Sequence, residues 1–287
     1  MAVAEREPVL APLAADPIEA TGNEPWTRER GVRPAWLRYS ALISVVLGVA
    51  LWWLFVGVMR LPAFVLPAPD AVLERAVEYI PSGRLWGHLA TTLLEALLGG
   101  SLGVAFGLLS GYALARSEVA ERLVSPYLVA SQSVPIIAFT PVLILWFGTG
   151  LVSKVIICAI IVFFPMTISA MVGLRSVDPV LHELMRTFEA NRWQTLIMIE
   201  IPAALPSIFG GLKLSGTLSI LGAVVGEFVG SKAGLGYLVN YSAFQLDTPL
   251  MFVGLICLVV VGVLIFSAIS AVERRALRWR RRGLTQP

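Results

Sequence analysis

Long apolar runs without charged residues alternate with short polar segments along most of this 287-residue chain. Because one helical crossing of a bilayer needs about 20 apolar residues, the pattern predicts six transmembrane helices within residues 39–272. The predicted spans cover residues 41–59, 89–115, 123–150, 155–174, 207–229 and 249–272. Pro135 and Pro141 lie inside the third span and Pro165 inside the fourth, and each removes a backbone donor. The sequence therefore predicts an all-α membrane protein with two interrupted spans.

The two ends of the chain lack this pattern. Residues 1–38 are rich in Ala, Pro, Glu and Arg without apolar periodicity, which predicts a disordered lead. The lead does not read as a cleaved signal peptide, because the first apolar run begins only near Ala41. Residues 273–287 form a basic tail.

The distribution of Lys and Arg predicts the orientation, since cytoplasmic loops of membrane proteins carry an excess of both. With the N-terminus inside, 17 of the 22 Lys and Arg lie on the inner side. The outer side keeps Arg60, Arg75, Arg84, Lys154 and Lys232. Both termini, and the segment between the fourth and fifth spans, are therefore expected in the cytoplasm.

The composition indicates a membrane protein and excludes several other classes. Charged residues make up 14% of the chain, against about 25% in a soluble domain. The net charge of +3 does not indicate nucleic-acid binding, because the basic residues flank the spans instead of forming a stripe with aromatics. Cys158 and Cys257 lie in apolar runs, and His88 and His182 lack ligand spacing, so no disulfide or metal site is expected.

The sequence contains no catalytic motif. Neither Lys213 nor Lys232 belongs to a Gly-Lys-Ser/Thr phosphate loop, and there is no nucleophile elbow, no HExxH motif and no paired acid cluster at membrane depth. We expect no catalytic residue and no cofactor bound by this chain. Uphill transport would then draw its energy from a partner chain.

A segment of mixed polar and apolar residues separates the fourth span from the fifth. Asp178 followed by Pro179 predicts a helix start, with an N-cap and a first-turn proline. Apolar residues follow at helical spacing: Leu181, Leu184, Met185 and Phe188. A break and a second amphipathic piece from Arg192 come next, and Pro202 and Pro206 are expected to end that piece. A two-part helix outside the membrane is typical of a docking surface.

Ionisable groups inside spans are functional candidates by default. Lys213 lies near the inner end of the fifth span and is predicted to anchor it at the interface. Glu95 and Glu227 fall toward the outer ends, where each either reaches the interface or lines the outer mouth of a cavity. Three further candidates for a transport path lie beside the break in the third span: Gln132, Ser133 and Pro135. Packing remains an alternative for this group, and the small residues crowding the fifth span favour close helix contact.

The segment between the fourth and fifth spans also resembles the cytoplasmic loop of permeases from ATP-binding-cassette importers. That loop reads EAA, three residues, Gly, nine residues and Ile-x-Leu-Pro. The matching positions here hold Glu183, Leu184, Met185, Glu189, Ile199, Ile201 and Pro202. The spacing is kept, but the alanines, the glycine and the leucine differ. A left-handed turn would be costly at Glu189, so we expect Asn191 to adopt it instead.

This resemblance implies that the segment couples the chain to an ATPase. The implied coupling residues are Asp178, Pro179, Glu183, Arg186, Glu189, Ala190, Arg192, Ile199 and Pro202. The resemblance covers residues 61–279. Pro141–Gly150, Phe163–Pro179 and Gly226–Val239 look like the nitrate, sulfonate and taurine group. Val225–Gly230 and Gln245–Phe252 look closer to the branch importing riboflavin or thiamine pyrimidine precursors.

Together these similarities imply the permease subunit of an importer in the inner membrane. The implied fold is the type I permease fold, with six spans and a cytoplasmic coupling helix between the fourth and fifth. The implied partners are a second permease copy, two ATPase subunits carrying ATP and Mg, an extracytoplasmic solute-binding protein and membrane lipid, but no nucleic acid. A small solute delivered by the binding protein is the implied cargo.

Two other classes of function are open to the residues alone. A stand-alone secondary transporter is compatible with six spans and broken helices, although no inverted repeat is visible and the docking segment would have no purpose. A membrane-embedded enzyme is disfavoured, because no convergent set of acid, base or metal-binding residues is present.

Overall fold

The computed structural model describes residues 40–278, with side chains from Leu42 onward. The predicted lead at residues 1–38 and the end of the basic tail lie outside the described residues. The chain divides into two units, residues 1–50 and 51–287, which are described separately. In the first unit, residues 40–50 are helical, and the described side chains are all exposed.

All regular structure in residues 40–278 is helical. The helices are α1 (Ser40–Met59), α2 (Pro69–Tyr79), α3 (Arg84–Ala115), α4 (Glu118–Gln132), α5 (Ile136–Phe147), α6 (Leu151–Arg175), α7 (Pro179–Thr187), α8 (Arg192–Thr195), α9 (Ile201–Gly230), α10 (Leu235–Phe244) and α11 (Thr248–Ala276). A short 3-10 turn follows α2, and a π-helical turn (Leu196–Glu200) joins α8 to α9.

Five of the described helices are long and apolar enough to cross a membrane. They are α1, α3, α6, the continuous helix from Arg192 through α9, and α11. The predicted third span is not one straight helix: α4 and α5 are bent by 95° around a short break, and together they make a sixth crossing if counted as one. Pro135 is extended and occupies the N-cap position of α5. A proline disfavours helical backbone in the residue before it, which here is Val134 in the break between the two helices. Pro141 and Pro165 lie inside continuous helices, so the predicted interruptions there are wrong.

Three helices, α3, α6 and α9, form the centre of the second unit. Four glycines of α3 recur every fourth residue against α6: Gly99, Gly103, Gly107 and Gly111. A Cβ at Gly103 would lie 2.8 Å from that of Val162, and one at Gly107 would lie 2.8 Å from that of Met166. The missing side chains allow the two backbones to approach closely, as small residues do between membrane helices.

A layer of short helices covers the end of the bundle where α9 finishes. Arg75 of α2 donates to Asp247 Oδ2 through Nη2 at 2.6 Å and through Nε at 3.1 Å, and to Glu78 at 2.8 Å. These hydrogen bonds, to Asp247 above all, raise the pKa of the Arg75 guanidinium. Because Asp247 also accepts from the Leu250 amide at the start of α11, the pair fixes α2 against α11.

Candidate functional site: the segment between α6 and α9

The first half of the segment is a short amphipathic helix with a capped start. Asp178 Oδ1 accepts from the Val180 amide at 2.9 Å, and Pro179 occupies the first turn of α7. This confirms the predicted helix start. Met185 is buried, whereas Leu184 and Phe188 are 48% and 72% exposed. Helix α7 therefore keeps apolar surface uncovered beside its charged residues.

Helix α7 ends in the hydrogen-bond pattern of a Schellman motif. The Ala190 amide donates to the Met185 carbonyl and the Glu189 amide to the Arg186 carbonyl, both at 3.0 Å. Glu189 itself adopts the left-handed conformation, with φ of 51°. The expectation that Asn191 would take this turn is wrong. Asn191 is extended and caps α8 instead, since its side chain and that of Gln194 each accept from the other's backbone amide at 2.8 Å.

The second half of the segment does not end at the prolines. Helix α8 runs through the π-helical turn into α9, so the predicted helix ends at Pro202 and Pro206 are wrong. The Ile201 amide bonds to the Leu196 carbonyl, five residues back. This wide turn places Pro202 in the first turn of α9, where the missing donor is tolerated, and Ile199 lies in the turn itself. The fifth span is therefore a direct extension of the segment.

A paired charge that the sequence reasoning missed joins this junction to α3. Arg116, directly after α3, donates to both carboxylate oxygens of Glu200, at 2.9 and 2.7 Å. Glu200 is only 4% exposed. Partial burial alone would lower the pKa of Arg116, but its contact with Tyr112 and the charge of Glu200 raise it overall, so it stays a cation. The signal in the sequence is a single acid inside the apolar run that leads into α9.

Two cavities open beside this ion pair. One of about 510 Å³ reaches Tyr112, Leu174 and Arg175, and one of about 550 Å³ reaches the α7 residues Glu183 and Arg186. Both are lined by Arg116, His182 and Glu200. The space between α7 and the end of α3 is therefore open, and charged side chains line it.

The candidates for a transport path fall into two separate environments. Gln132, Ser133 and Pro135 are exposed at the break between α4 and α5. Glu95 and Glu227 are each 1% exposed. The expectation that these carboxylates reach an interface by extending outward is wrong, because α3, α6 and α9 enclose them.

Two lysines expected near an interface are paired with acids. Lys154 is 6% exposed, and its Nζ lies 3.0 Å from Glu95 Oε1. Lys213 Nζ lies 2.5 Å from Glu273 Oε2 and links α9 to α11. Lys213 is therefore held by an ion pair with a neighbouring helix, which the sequence reasoning did not foresee.

With this geometry in view, residues 103–278 match the model of the family described as "binding-protein-dependent transport system inner membrane component". The chain belongs to this family. It is a non-catalytic, multi-pass permease subunit of an ATP-binding-cassette importer for small solutes.

Several relatives share most of the permease. It is 40% identical over 244 residues to the riboflavin transport system permease protein RibX of Chloroflexus aurantiacus, covering 85% of this chain and 91% of RibX. It is 37% identical over 269 residues to the putative aliphatic sulfonates transport permease protein SsuC of Bacillus subtilis, covering 91% of this chain and 97% of SsuC. The formylaminopyrimidine transport permease protein ThiX of Halalkalibacterium halodurans is 35% identical over 219 residues, which is 76% of this chain and 87% of ThiX.

Solved structures identify the fold of the permease. The inward-facing MetNI methionine transporter matches with a TM-score of 0.59 at 22% identity, over 67% of this chain and 95% of that chain. An amino acid transporter of the same class matches with a TM-score of 0.54 at 18% identity, over 70% and 97% of the two chains. The described helices therefore adopt the type I importer permease fold.

Proposed function

We propose that this permease forms the membrane path of an ATP-driven importer and receives the motion of a partner ATPase through α7. The observation that carries the proposal is the surface of α7: exposed apolar side chains stand beside the charged Glu183 and Arg186. Apolar surface of this kind on a short amphipathic helix is suited to a groove on a soluble partner. The coupling residues are those given by the family resemblance.

The proposed assembly contains two copies of this chain and two ATPase subunits. ATP and Mg bind to the ATPases, since the sequence carries no phosphate loop. A solute-binding protein delivers the cargo on the opposite side of the membrane, and lipid surrounds the spans. Membership of the family supports an ATPase and a binding protein as partners, and the two copies of each subunit are part of the proposal.

The proposed orientation places both termini and α7 in the cytoplasm, where ATP is available. It rests on the distribution of Lys and Arg, and the ends of α3 and α6 agree with it. Arg116 and Arg175 lie at those two ends, on the same side of the bundle as α7. The outer face is then formed by α2, α10 and the start of α11.

The Arg116–Glu200 pair supplies a route for the motion. Glu200 lies between the segment and α9, and Arg116 lies at the end of α3. A displacement of α7 is therefore passed across the tight turn at residues 188–191 to the continuous helix of α8 and α9, and from Glu200 to α3 through the ion pair. Rigid helices that shift together are a recognised way of alternating access to a central path. Gln132, Ser133 and Pro135, at the break between α4 and α5, are the proposed path residues.

For the cargo, we propose riboflavin or a thiamine pyrimidine precursor. The similarity to RibX and ThiX supports this choice. Import of nitrate, an alkanesulfonate or taurine is the alternative, and the similarity to SsuC and to the taurine permease TauC of Escherichia coli, 29% identical over 242 residues, supports it.

Uptake into proteoliposomes tests the function. The permease is reconstituted with the ATPase and the binding protein encoded nearest to it, and each labelled solute is offered in turn. We expect uptake that requires ATP and the binding protein. Uptake driven by an ion gradient without the ATPase would indicate a secondary transporter and contradict the proposal.

A further inference from the structure

Three ionisable side chains meet at the end of the bundle that lies beside α10. Glu95 comes from α3, Lys154 from α6 and Glu227 from α9, and they are 1%, 6% and 1% exposed. No step of the proposed import requires three charged groups in this place. Burying a charge is costly unless it is paired and hydrogen-bonded, so the hydrogen bonds and the net charge of the group need an explanation.

Both oxygens of Glu227 receive hydrogen bonds. Oε1 accepts from the Thr92 hydroxyl at 2.7 Å, and Oε2 accepts from the Gly236 amide at 2.5 Å. The Thr92 oxygen in turn accepts from the Leu235 amide at 2.7 Å. Two donors fit an ionised carboxylate, which has only acceptor sites. Glu227 and Thr92 thereby hold the first turn of α10.

Glu95 is satisfied on one oxygen only. Its Oε1 lies 3.0 Å from Lys154 Nζ, and Lys154 also donates to Ser231 Oγ at 2.7 Å. No donor among residues 40–278 reaches Glu95 Oε2, which is fully buried. Thr92, which donates to Glu227, precedes Glu95 by three residues on α3, so Glu95 and the contact point of Glu227 share one face of that helix. A carboxyl oxygen that faces another carboxyl can make a hydrogen bond only if it carries a proton.

The charges of the group lead to the same result. Two ionised carboxylates and one ammonium leave a net charge of −1 in a buried site, and one proton brings it to zero. Two close carboxylates cannot both ionise without strong repulsion.

Two other titratable groups face the site. His88 accepts from the Gly234 amide through Nδ1 at 3.1 Å, so this nitrogen carries no proton, and Cys158 is fully buried. Neither adds a positive charge to offset the second carboxylate.

We propose that Glu95 and Glu227 share one bound proton, donated from Glu95 Oε2 toward Glu227, beside the Lys154 ammonium. The site belongs to the folded permease itself and does not depend on the cargo or the ATPase. Its ligand is a proton from bulk water, and no other reactant is involved.

Infrared spectra of the purified wild-type permease and of its variants, recorded at neutral pH and subtracted from one another, test the proposal. A protonated carboxyl has a C=O stretching band that a carboxylate lacks, and exposed Glu side chains are ionised at neutral pH. We expect this band in the wild-type protein. We expect its loss in Glu95→Gln, because Glu227 is then the one carboxyl in this buried group and ionises beside Lys154. We also expect its loss in Glu227→Gln, because Glu95 then ionises against Lys154. Absence of the band from the wild type, or its persistence in either variant, would overturn the proposal.

Two further measurements use variants that separate protonation from packing. Glu200→Gln removes a carboxylate that is 4% exposed but paired with Arg116, so the band should remain unchanged. In Glu95→Gln the introduced amide would donate where the proton did and accept from Lys154, so this variant should keep the thermal midpoint of the wild type. The midpoint of the wild type should fall as the pH rises from about 4.3, where Glu in the unfolded chain ionises, until the folded site also loses the shared proton, because only the folded state keeps that proton in this range. The midpoint of the variant should lack this decline. An unfolded Glu95→Gln protein, or identical pH profiles, would contradict the proposal.

Discussion

Replacing Glu189 by glycine should stabilise the end of α7. Glu189 has φ of 51°, and a left-handed residue other than glycine costs roughly 1–2 kcal/mol. Its exposed carboxylate makes no ion pair within residues 40–278 that would offset this cost. Glycine also gives the unfolded chain more freedom, which costs about 0.4–1 kcal/mol. The net gain is therefore about 1 kcal/mol.

Hydrogen exchange of the Ala190 amide measures this gain locally. That amide closes the Schellman motif by donating to the Met185 carbonyl at 3.0 Å, and it exchanges when the end of α7 opens. A stabilisation of about 1 kcal/mol slows exchange about five-fold if opening and closing are fast, since about 1.4 kcal/mol corresponds to a factor of 10. The control is Ala190→Gly, one residue further on, where φ is not positive and glycine should speed exchange of neighbouring amides. Unchanged or faster exchange in Glu189→Gly would refute the reasoning.

Three other predictions concern the packing. Arg116→Ala should lower the free energy of unfolding by about 2 kcal/mol, a value between those for exposed and buried ion pairs. Combining Arg116→Ala with Glu200→Gln should restore part of that free energy, because no unpaired buried carboxylate is left, and chemical denaturation measures both variants. Gly103→Leu should prevent folding, because a Cβ there already meets α6, whereas Gly87→Ala, in open space on the same helix, should yield folded protein by size-exclusion chromatography. Leu246→Gly should raise the thermal midpoint, since the side chain is 70% exposed and φ is 57°; a lower midpoint would mean that its apolar contacts outweigh the strain.

Local rules predicted the start of α7 well. An Asp-Pro pair fixes a helix start through one side-chain acceptor and one preset φ, and neither depends on the rest of the fold. The break at Pro135 was predictable for the same reason. The left-handed conformation of Glu189 was not predicted, because the sequence reasoning weighed the tolerance of Asn191 for that conformation and overlooked the capping role of Asn191. Asn191 and Gln194 form a capping box that needs an extended Asn191, which leaves the left-handed turn to Glu189.

Tertiary partners account for the other differences. The sequence places Glu95, Lys154 and Glu227 near the outer span ends, and nothing in their local pattern indicates that three helices enclose them. The expectation that no paired acid cluster lies at membrane depth is therefore wrong. The sequence pattern indicates a helix end at Pro202, but the π-helical turn before this proline allows the helix to continue through it. The family resemblance indicates where the coupling segment lies along the chain, but the relation of that segment to Arg116 depends on a contact across 84 residues. Such long-range pairs require the packed structure.

Co-purification of the permease with the ATPase encoded nearest to it, in mild detergent, tests the central claim most directly. Three forms are compared: the wild type, Glu183→Lys on α7, and Glu118→Lys on the exposed start of α4. We expect the ATPase to bind the wild type and Glu118→Lys and to be lost from Glu183→Lys, with all three permeases folded. Equal binding by all three would show that α7 is not the contact. No binding to the folded wild type would contradict the importer account.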